Sequence, residues 1–356
     1  MGDAAVLSSL REEVVEQTID QHHRGRFRKE LLRADAPSGR ALALVRKRSA
    51  EGPTRGAVVL IHGFAQNRYS WHLSHRSFVN WLASQGFDVW NLELTGHGRS
   101  REYGALPARA FSDYVEDSAA VIPAVAEWSG HTRLFVIGHS LGGAVCYAVA
   151  PRVAANLAGI VTVAGLFRFG ANPVTRRIGE FISGMARLEP AIRSLGVGVR
   201  SKVVGHFIAG FLEHADDLFW SFPMAGWVPG STEPEVLQER LVRGFDWTGI
   251  NVFLTMMRWA KDGTTEGELG LAFERDFAAL DLPLLVVAGD RDRLLPPDDA
   301  RPAFDVSQSR DKTWKLMSPA REEVHWGHLD IVLGKHAPRY VWPYLSSWMI
   351  ERLPGT

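Results

Sequence analysis

A serine hydroxyl becomes a useful nucleophile when a base removes its proton, an acid orients that base and N–H groups receive the developing oxyanion. The 356-residue chain carries a serine in a context suited to that work: Gly138-His139-Ser140-Leu141-Gly142, a G-x-S-x-G pattern. The apolar run Leu134-Phe135-Val136-Ile137 precedes it, as a buried parallel strand would. The small, apolar stretch from Gly143 to Ala150 follows it, suited to a helix packed closely on a sheet. Strand, sharp turn and helix together make the pattern a nucleophile elbow. The glycines let the helix double back, and the serine oxygen stands at the tip of a strained turn. The helix start behind it offers free N–H groups and a positive dipole end.

The partners are sought further along the chain. One apolar run ends in Gly289-Asp290-Arg291-Asp292-Arg293-Leu294-Leu295-Pro296, where two acids compete. Asp292 lies further into the loop, where a carboxylate can reach over the sheet. Asp290 is nearer the strand and suited to tying the loop through backbone bonds. A later loop, Glu322-Glu323-Val324-His325-Trp326-Gly327-His328-Leu329-Asp330, offers His328 and His325 as bases. Gly327 gives the backbone before His328 the freedom a projecting histidine needs, so His328 is favoured. The N–H groups of Leu141, directly after the serine, and of Phe64, in His62-Gly63-Phe64, are the expected oxyanion donors. His62, His97 and His139 are expected to be structural, and Glu93 to anchor a loop. The pairs His72/His75 and His325/His328 lack a third ligand at metal spacing, so no metal is expected. The single cysteine, Cys146, follows the elbow and is expected to be a buried thiol.

Several elements must position these groups. Residues 1–23, with Val6, Leu7, Leu10, Val14 and Val15 at helical spacing, predict a short helix. Two strands follow, Arg26 to Arg33 and Ala41 to Arg46, split by the turn Ala36-Pro37-Ser38-Gly39. Ala57 to Ile61 is a buried strand leading into His62-Gly63-Phe64. A helix ends at Gly86, a strand runs from Asp88 to Leu94, and Ser112 and Asp113 are placed to cap a helix through Trp128 that Gly130 ends. After the elbow helix comes a strand within Leu157 to Ala164. The rhythm then breaks from about Leu166 to Glu274, a stretch rich in aromatics. These are Phe167, Phe169, Phe181, Phe207, Phe211, Phe219, Trp220, Phe222, Trp227, Phe245, Trp247, Phe253 and Trp259. Most are expected to form that stretch's own core, with a minority facing a substrate channel. The alternation resumes at Leu282 to Ala288, with a last strand at Thr313 to Met317. A closing helix from Ile331 to Leu353 is disturbed by Pro338 and Pro343. The fold class is therefore α/β: a mostly parallel twisted sheet with helices on both faces. Residues 1–165 and 275–356 form the core, and 166–274 an inserted, mainly helical cap.

Composition narrows the field. Lys and Arg number 40, as do Asp and Glu, so the formal net charge is zero and no nucleic-acid partner is expected. A single cysteine permits no intrachain disulfide. The N-terminus lacks a basic region followed by an apolar core, and no run is long enough to span a membrane, so a cytoplasmic location is expected. Oligomeric state is not readable.

The motifs His62-Gly63-Phe64, Thr95-Gly96-His97-Gly98-Arg99-Ser100, Gly138-His139-Ser140-Leu141-Gly142-Gly143, Gly289-x-x-Asp292 and Gly327-His328 occur in an order that resembles the α/β-hydrolase fold family. That family's acid usually stands three residues after the glycine, which the resemblance carries onto Asp292, and the insertion stands where the family places its cap. Gly86-Phe87-Asp88-Val89-Trp90 and the stretch from His328 to Gly334 resemble acid, gastric-type lipases. The closing stretch is also similar to polyhydroxyalkanoate synthases, which carry cysteine where this chain has Ser140. The resemblance implies a cofactor-free serine carboxylic-ester hydrolase acting on a small apolar acyl ester, esterase-like or lipase-like. It would work through Ser140, His328 and Asp292 and an acyl-enzyme. The alternatives are a thioesterase or polyester depolymerase and, from another class, a non-catalytic ligand receptor on the same fold.

Overall fold

The computed structural model describes residues 3–184, 198–199, 206, 226–263 and 273–353. Its centre is a nine-stranded sheet. The strands are β1 (Val6–Thr18), β2 (Arg24–Asp35), β3 (Ala41–Ser49), β4 (Gly56–Ile61), β5 (Phe87–Glu93), β6 (Leu134–His139), β7 (Leu157–Val163), β8 (Leu284–Gly289) and β9 (Lys312–Met317). Their order is β1-β2-β3-β5-β4-β6-β7-β8-β9. The first three pair antiparallel and β3 joins β5 antiparallel; from β5 to β9 every pairing is parallel. All residues of β4, β5, β6 and β8 are buried. That explains the apolar runs of β4, β6 and β8, since a parallel strand is covered on both faces, whereas β5 buries Asp88, Asn91 and Glu93 among its apolar residues.

Helices supply that cover. On one side α1 (Phe78–Ser84) and the closing helix Ala337–Ile350 pack around Trp71, Phe78 and Trp342. On the other, α2 (Phe111–Ser129) and α3 (Leu141–Val153) lie over Leu60's neighbours Val59 and Ile61. Gly130 ends α2 in the left-handed region at φ 75°. Neither Ser112 nor Asp113 caps it. The N-cap is Ala110, which makes no side-chain cap bond, and an Asp113 carboxylate oxygen accepts instead from the N–H of Arg109. The predicted closing helix is two pieces, Asp330–Leu333 and Ala337–Ile350, broken at the extended Gly334. Pro338 falls in the first turn of the second piece, where its missing N–H costs nothing.

The N-terminal segment is the clearest correction. Residues 6–18 are an edge strand, not a helix. Val6, Leu10 and Val14 recur every four residues, a spacing that serves one turn of helix or two repeats of a strand equally well. As a strand it leaves those three exposed, while Val15 reaches Phe27 and the core. What decides between the two is non-local. β2 pairs along the whole length of β1, through a turn in which the Asp20 carboxylate accepts from the N–H groups of His22 and His23.

Between β7 and β8 no described residue joins the main sheet. This stretch contains the helices Pro173–Gly184, Pro234–Glu239, Ile250–Asp262 and Phe273–Ala278. Phe207, Phe211, Phe219, Trp220 and Phe222 lie outside the described residues. The remaining aromatics differ from expectation, because several join the main core. Phe167 packs against Tyr147, Phe273 and Phe277, and Trp259 meets Phe111 edge-on. A small separate cluster holds Trp227, Leu237, Leu241 and Leu329, and Phe181 is exposed. Among the described residues no helix is long and apolar enough to cross a membrane.

Candidate active site

The end of β6 turns directly into α3 at Ser140, whose backbone has φ 56° and ψ −123°. A non-glycine residue there carries strain of about 1–3 kcal/mol, which the surroundings must over-determine. They do. The N–H of Ser140 lies 3.1 Å from the carbonyl oxygen of Ala164, and its own carbonyl accepts from Gly143 and Leu166. The flanking glycines are sterically required. A Cβ on Gly138 would stand 2.3 Å from the carbonyl oxygen of Gly142, and one on Gly142 2.3 Å from that of Ile61. The motif is the sequence signature of a helix pressed onto two strands.

The loop after β4 comes in against the serine. A Cβ on Gly63 would meet the Ser140 Cβ at 2.9 Å and its Oγ at 3.4 Å, so only glycine allows the approach. The next residue is Phe64. Among the described residues neither the Phe64 nor the Leu141 N–H donates to a protein acceptor. His62 locks this loop. Its Nδ1–H donates to the Gly63 carbonyl at 3.0 Å, and its Nε2 accepts from the Leu94 N–H at 3.1 Å. Burial, then the neighbouring His97, pushes His62 down to about 3, so it is a neutral tie. Glu93 anchors the adjoining loop by accepting from Arg68 Nη1 and from the Arg99 N–H.

Asp292 and His328, the candidate acid and base, stand on the loops after β8 and β9. His328 Nδ1 lies 2.7 Å from Asp292 Oδ2. Opposite a carboxylate, which only accepts, Nδ1 carries the proton, and Nε2 keeps its lone pair. The other Asp292 oxygen accepts from the N–H groups of Leu294 and Leu295 at 3.0 and 2.7 Å, fixing the carboxylate. His328 Nε2 is buried and has no hydrogen-bond partner among the described residues. The residue before Ser140 reaches this loop, since His139 Nε2 donates to the His328 carbonyl at 2.9 Å and the two rings are 4.7 Å apart. Asp292, His328 and Ser140 are all buried.

The competing residues form a pair of their own. His325 Nδ1 is 2.6 Å from Asp290 Oδ2, and Asp290 Oδ1 accepts from the Trp326 N–H. The His325 side chain is 44% exposed, against 1% for that of His328, so it lies at the surface. Cys146 is buried, and burial pushes its thiol up.

Asp330 was assigned no role from sequence, although its spacing of three from Gly327 was there to read. Its carboxylate accepts from the Gly327 N–H at 2.9 Å and from the Val228 N–H at 3.3 Å, clamping the turn before His328. Burial, with a further push from Asp292, raises Asp330 to about 7; Arg240 is the cation facing it. The folded protein thus holds a proton that the unfolded chain, near the ordinary 3.8, gives up. Its stabilising contribution is complete below that value and is lost as pH climbs towards 7. In Asp330→Asn the melting temperature should depend less on pH between about 4 and 7 than in the wild type. Identical slopes in thermal melts would count against a proton on Asp330.

Several known proteins are similar to this chain. The family profile described as serine aminopeptidase, S33 matches residues 52–202. A monoacylglycerol lipase of Mycolicibacterium smegmatis is 25% identical over 300 residues, 84% of this chain and 89% of that protein. Human lipase member K is 23% identical over 346 residues, 83% of this chain and 80% of that one. The crystal structure of the Paleococcus ferrophilus monoacylglycerol lipase superposes with a TM-score of 0.58 at 17% identity, covering 87% of this chain and 99% of that one.

Proposed function

We propose that this chain, which belongs to the α/β-hydrolase fold family, is a serine hydrolase of carboxylic esters with an apolar acyl group, of the monoacylglycerol-lipase kind. The observation that carries the reading is the His328 ring, fixed by Asp292 through Nδ1, with Nε2 buried and without a partner among the described residues, on a loop tied through its carbonyl to His139, the residue before the strained serine turn. Ser140 attacks the ester carbonyl carbon as His328 Nε2 takes the hydroxyl proton. The tetrahedral oxyanion is received by the Phe64 and Leu141 N–H groups. Losing one such donor costs about 2.7–4 kcal/mol of barrier. His328 returns the proton to the leaving alcohol. Water, deprotonated by the same nitrogen, then releases the acid. No cofactor takes part.

The apolar preference rests on what faces the oxyanion loop. Phe64 lies 6.2 Å from Phe253, ring centroid to centroid, on a helix of the 166–274 segment. Residues 166–274 act in this reading as the cap over the site. A ladder of p-nitrophenyl esters from acetyl to palmitoyl tests it. Turnover should be serine-dependent and rise from acetyl towards medium or long chains. Each buried CH₂ is worth about 0.8 kcal/mol, so kcat/KM should climb by roughly fourfold per methylene while the pocket lasts. Serine-dependent activity on thioesters alone would move the assignment to a thioesterase, and a flat ladder would remove the apolar acyl site.

A further inference from the structure

A second cavity, separate from Ser140, Asp292 and His328, lies against the odd-numbered faces of β1, β2 and β3. Residues after the oxyanion loop close it. Its volume is about 430 Å³, within the range that takes a small organic ligand rather than a bare ion. Seven Lys and Arg side chains line it, against two carboxylates, Glu13 and Glu16. Glu93 and Glu239 pair with Arg68 and Arg243 from behind, which still leaves cations in excess.

Two of those cations have no carboxylate among the described residues. Lys47 is 1% exposed, and its ammonium meets only neutral groups: Gln17 Oε1, Asn80 Oδ1 at 2.7 Å and His72 Nε2 at 3.3 Å. Burial, then the charges of Lys29 and Arg68, hold Lys47 well below the usual lysine range. Arg99, which is half-buried, is in no ion pair among the described residues. A buried ammonium without a counter-charge is costly, so Lys47 is pushed towards its neutral form, and an anion in the cavity would restore its charge. Asn91 adds a third unmet demand. Its Nδ2 must donate to the Arg68 carbonyl at 3.0 Å, which fixes the amide orientation, so Oδ1 is the acceptor; it is buried, lines the cavity and has no partner. The wall thus lacks an anion and a hydroxyl donor at the same place.

We propose that this cavity binds a small ligand bearing a tetrahedral oxyanion, phosphate or sulfate, and a hydroxyl that donates to Asn91. Calorimetric titration of the full chain with inorganic phosphate and with sulfate, at constant ionic strength in chloride, tests it. Saturable binding is expected, weakened tenfold or more in Arg99→Ala, since hydrogen bonds to charged groups are worth about 1.5–3 kcal/mol. Lys47→Gln should weaken it too; if that variant misfolds, Arg99→Ala alone carries the result. Phosphate should bind more tightly than sulfate at pH 6, because its P–OH can donate to Asn91 and sulfate carries no hydroxyl; equal binding of the two would overturn the hydroxyl contact to Asn91. Absence of saturable heat with either anion, or affinities unchanged in Arg99→Ala, overturns it.

Discussion

Replacing Ser140 by alanine should abolish ester turnover, with kcat falling by roughly a factor of 10⁶, as in other sites where serine and base act as a unit. The protein should remain folded, because Ala keeps the Cβ that sits against Gly63 and loses only the hydroxyl. A second substitution separates chemistry from strain. At φ 56° and ψ −123° any side chain is disfavoured, and Ser140→Gly relieves about 1–3 kcal/mol of that strain. It gives back about 0.4–1 kcal/mol through the greater freedom of glycine in the unfolded chain. Ser140→Gly should therefore be inactive yet melt at a higher temperature than Ser140→Ala. Turnover surviving in either variant would remove Ser140 as the nucleophile. A Ser140→Gly protein less stable than Ser140→Ala would show that the turn is not paying a conformational cost for the position of its hydroxyl.

The same tight turn explains why the candidate site is legible in the sequence. A helix that folds back onto β6 leaves no room for Cβ atoms at Gly138 and Gly142, so the local chemistry is written in residue types a few positions apart. The loops carrying Asp292 and His328 were found for a related reason: each follows an apolar run ending in glycine or turn residues, and strand ends are where a parallel sheet presents its loops. The central strands β4, β6 and β8 were legible because burial on both faces favours continuous apolar runs.

What the sequence concealed depends on distant partners. β1 is polar on much of its surface, and its apolar spacing suits two geometries; only pairing with β2 selects one. The aromatics after β7 were read as a core of their own, because composition cannot say which layer a side chain enters. Phe167 and Trp259 in fact complete the layer over α3 and α2. Asp330 escaped for the same reason, since its partner Val228 is 102 residues away. Position in the loop and spacing from Gly289 and Gly327 favour Asp292 and His328, but residue type alone does not separate the two acid–histidine pairs on adjacent loops, because both contain the same chemistry.

Exchanging Asp292 for asparagine should separate them. In the wild type one carboxylate oxygen is committed to the Leu294 and Leu295 N–H groups and the other faces His328 Nδ1. In Asp292→Asn the amide oxygen is held by the two backbone donors, so the NH₂ is turned towards the imidazole. A donor there demands the lone pair of Nδ1 and drives the ring proton to Nε2, the nitrogen that must accept the serine proton. The expected loss in kcat is about 10⁴-fold, with little change in KM, because the geometry survives while the tautomer is wrong. Asp290→Asn and His325→Ala remove an equally short but exposed pair, and both should leave kcat close to wild type, because surface pairs contribute little. Steady-state kinetics on one p-nitrophenyl ester, with thermal melts to show that each variant is folded, decide the matter. A large loss in Asp290→Asn beside a mild one in Asp292→Asn would transfer the acid's role to the exposed pair. Equal losses in both would mean that the loops act through their shared backbone ties to Trp326 rather than through a dedicated base.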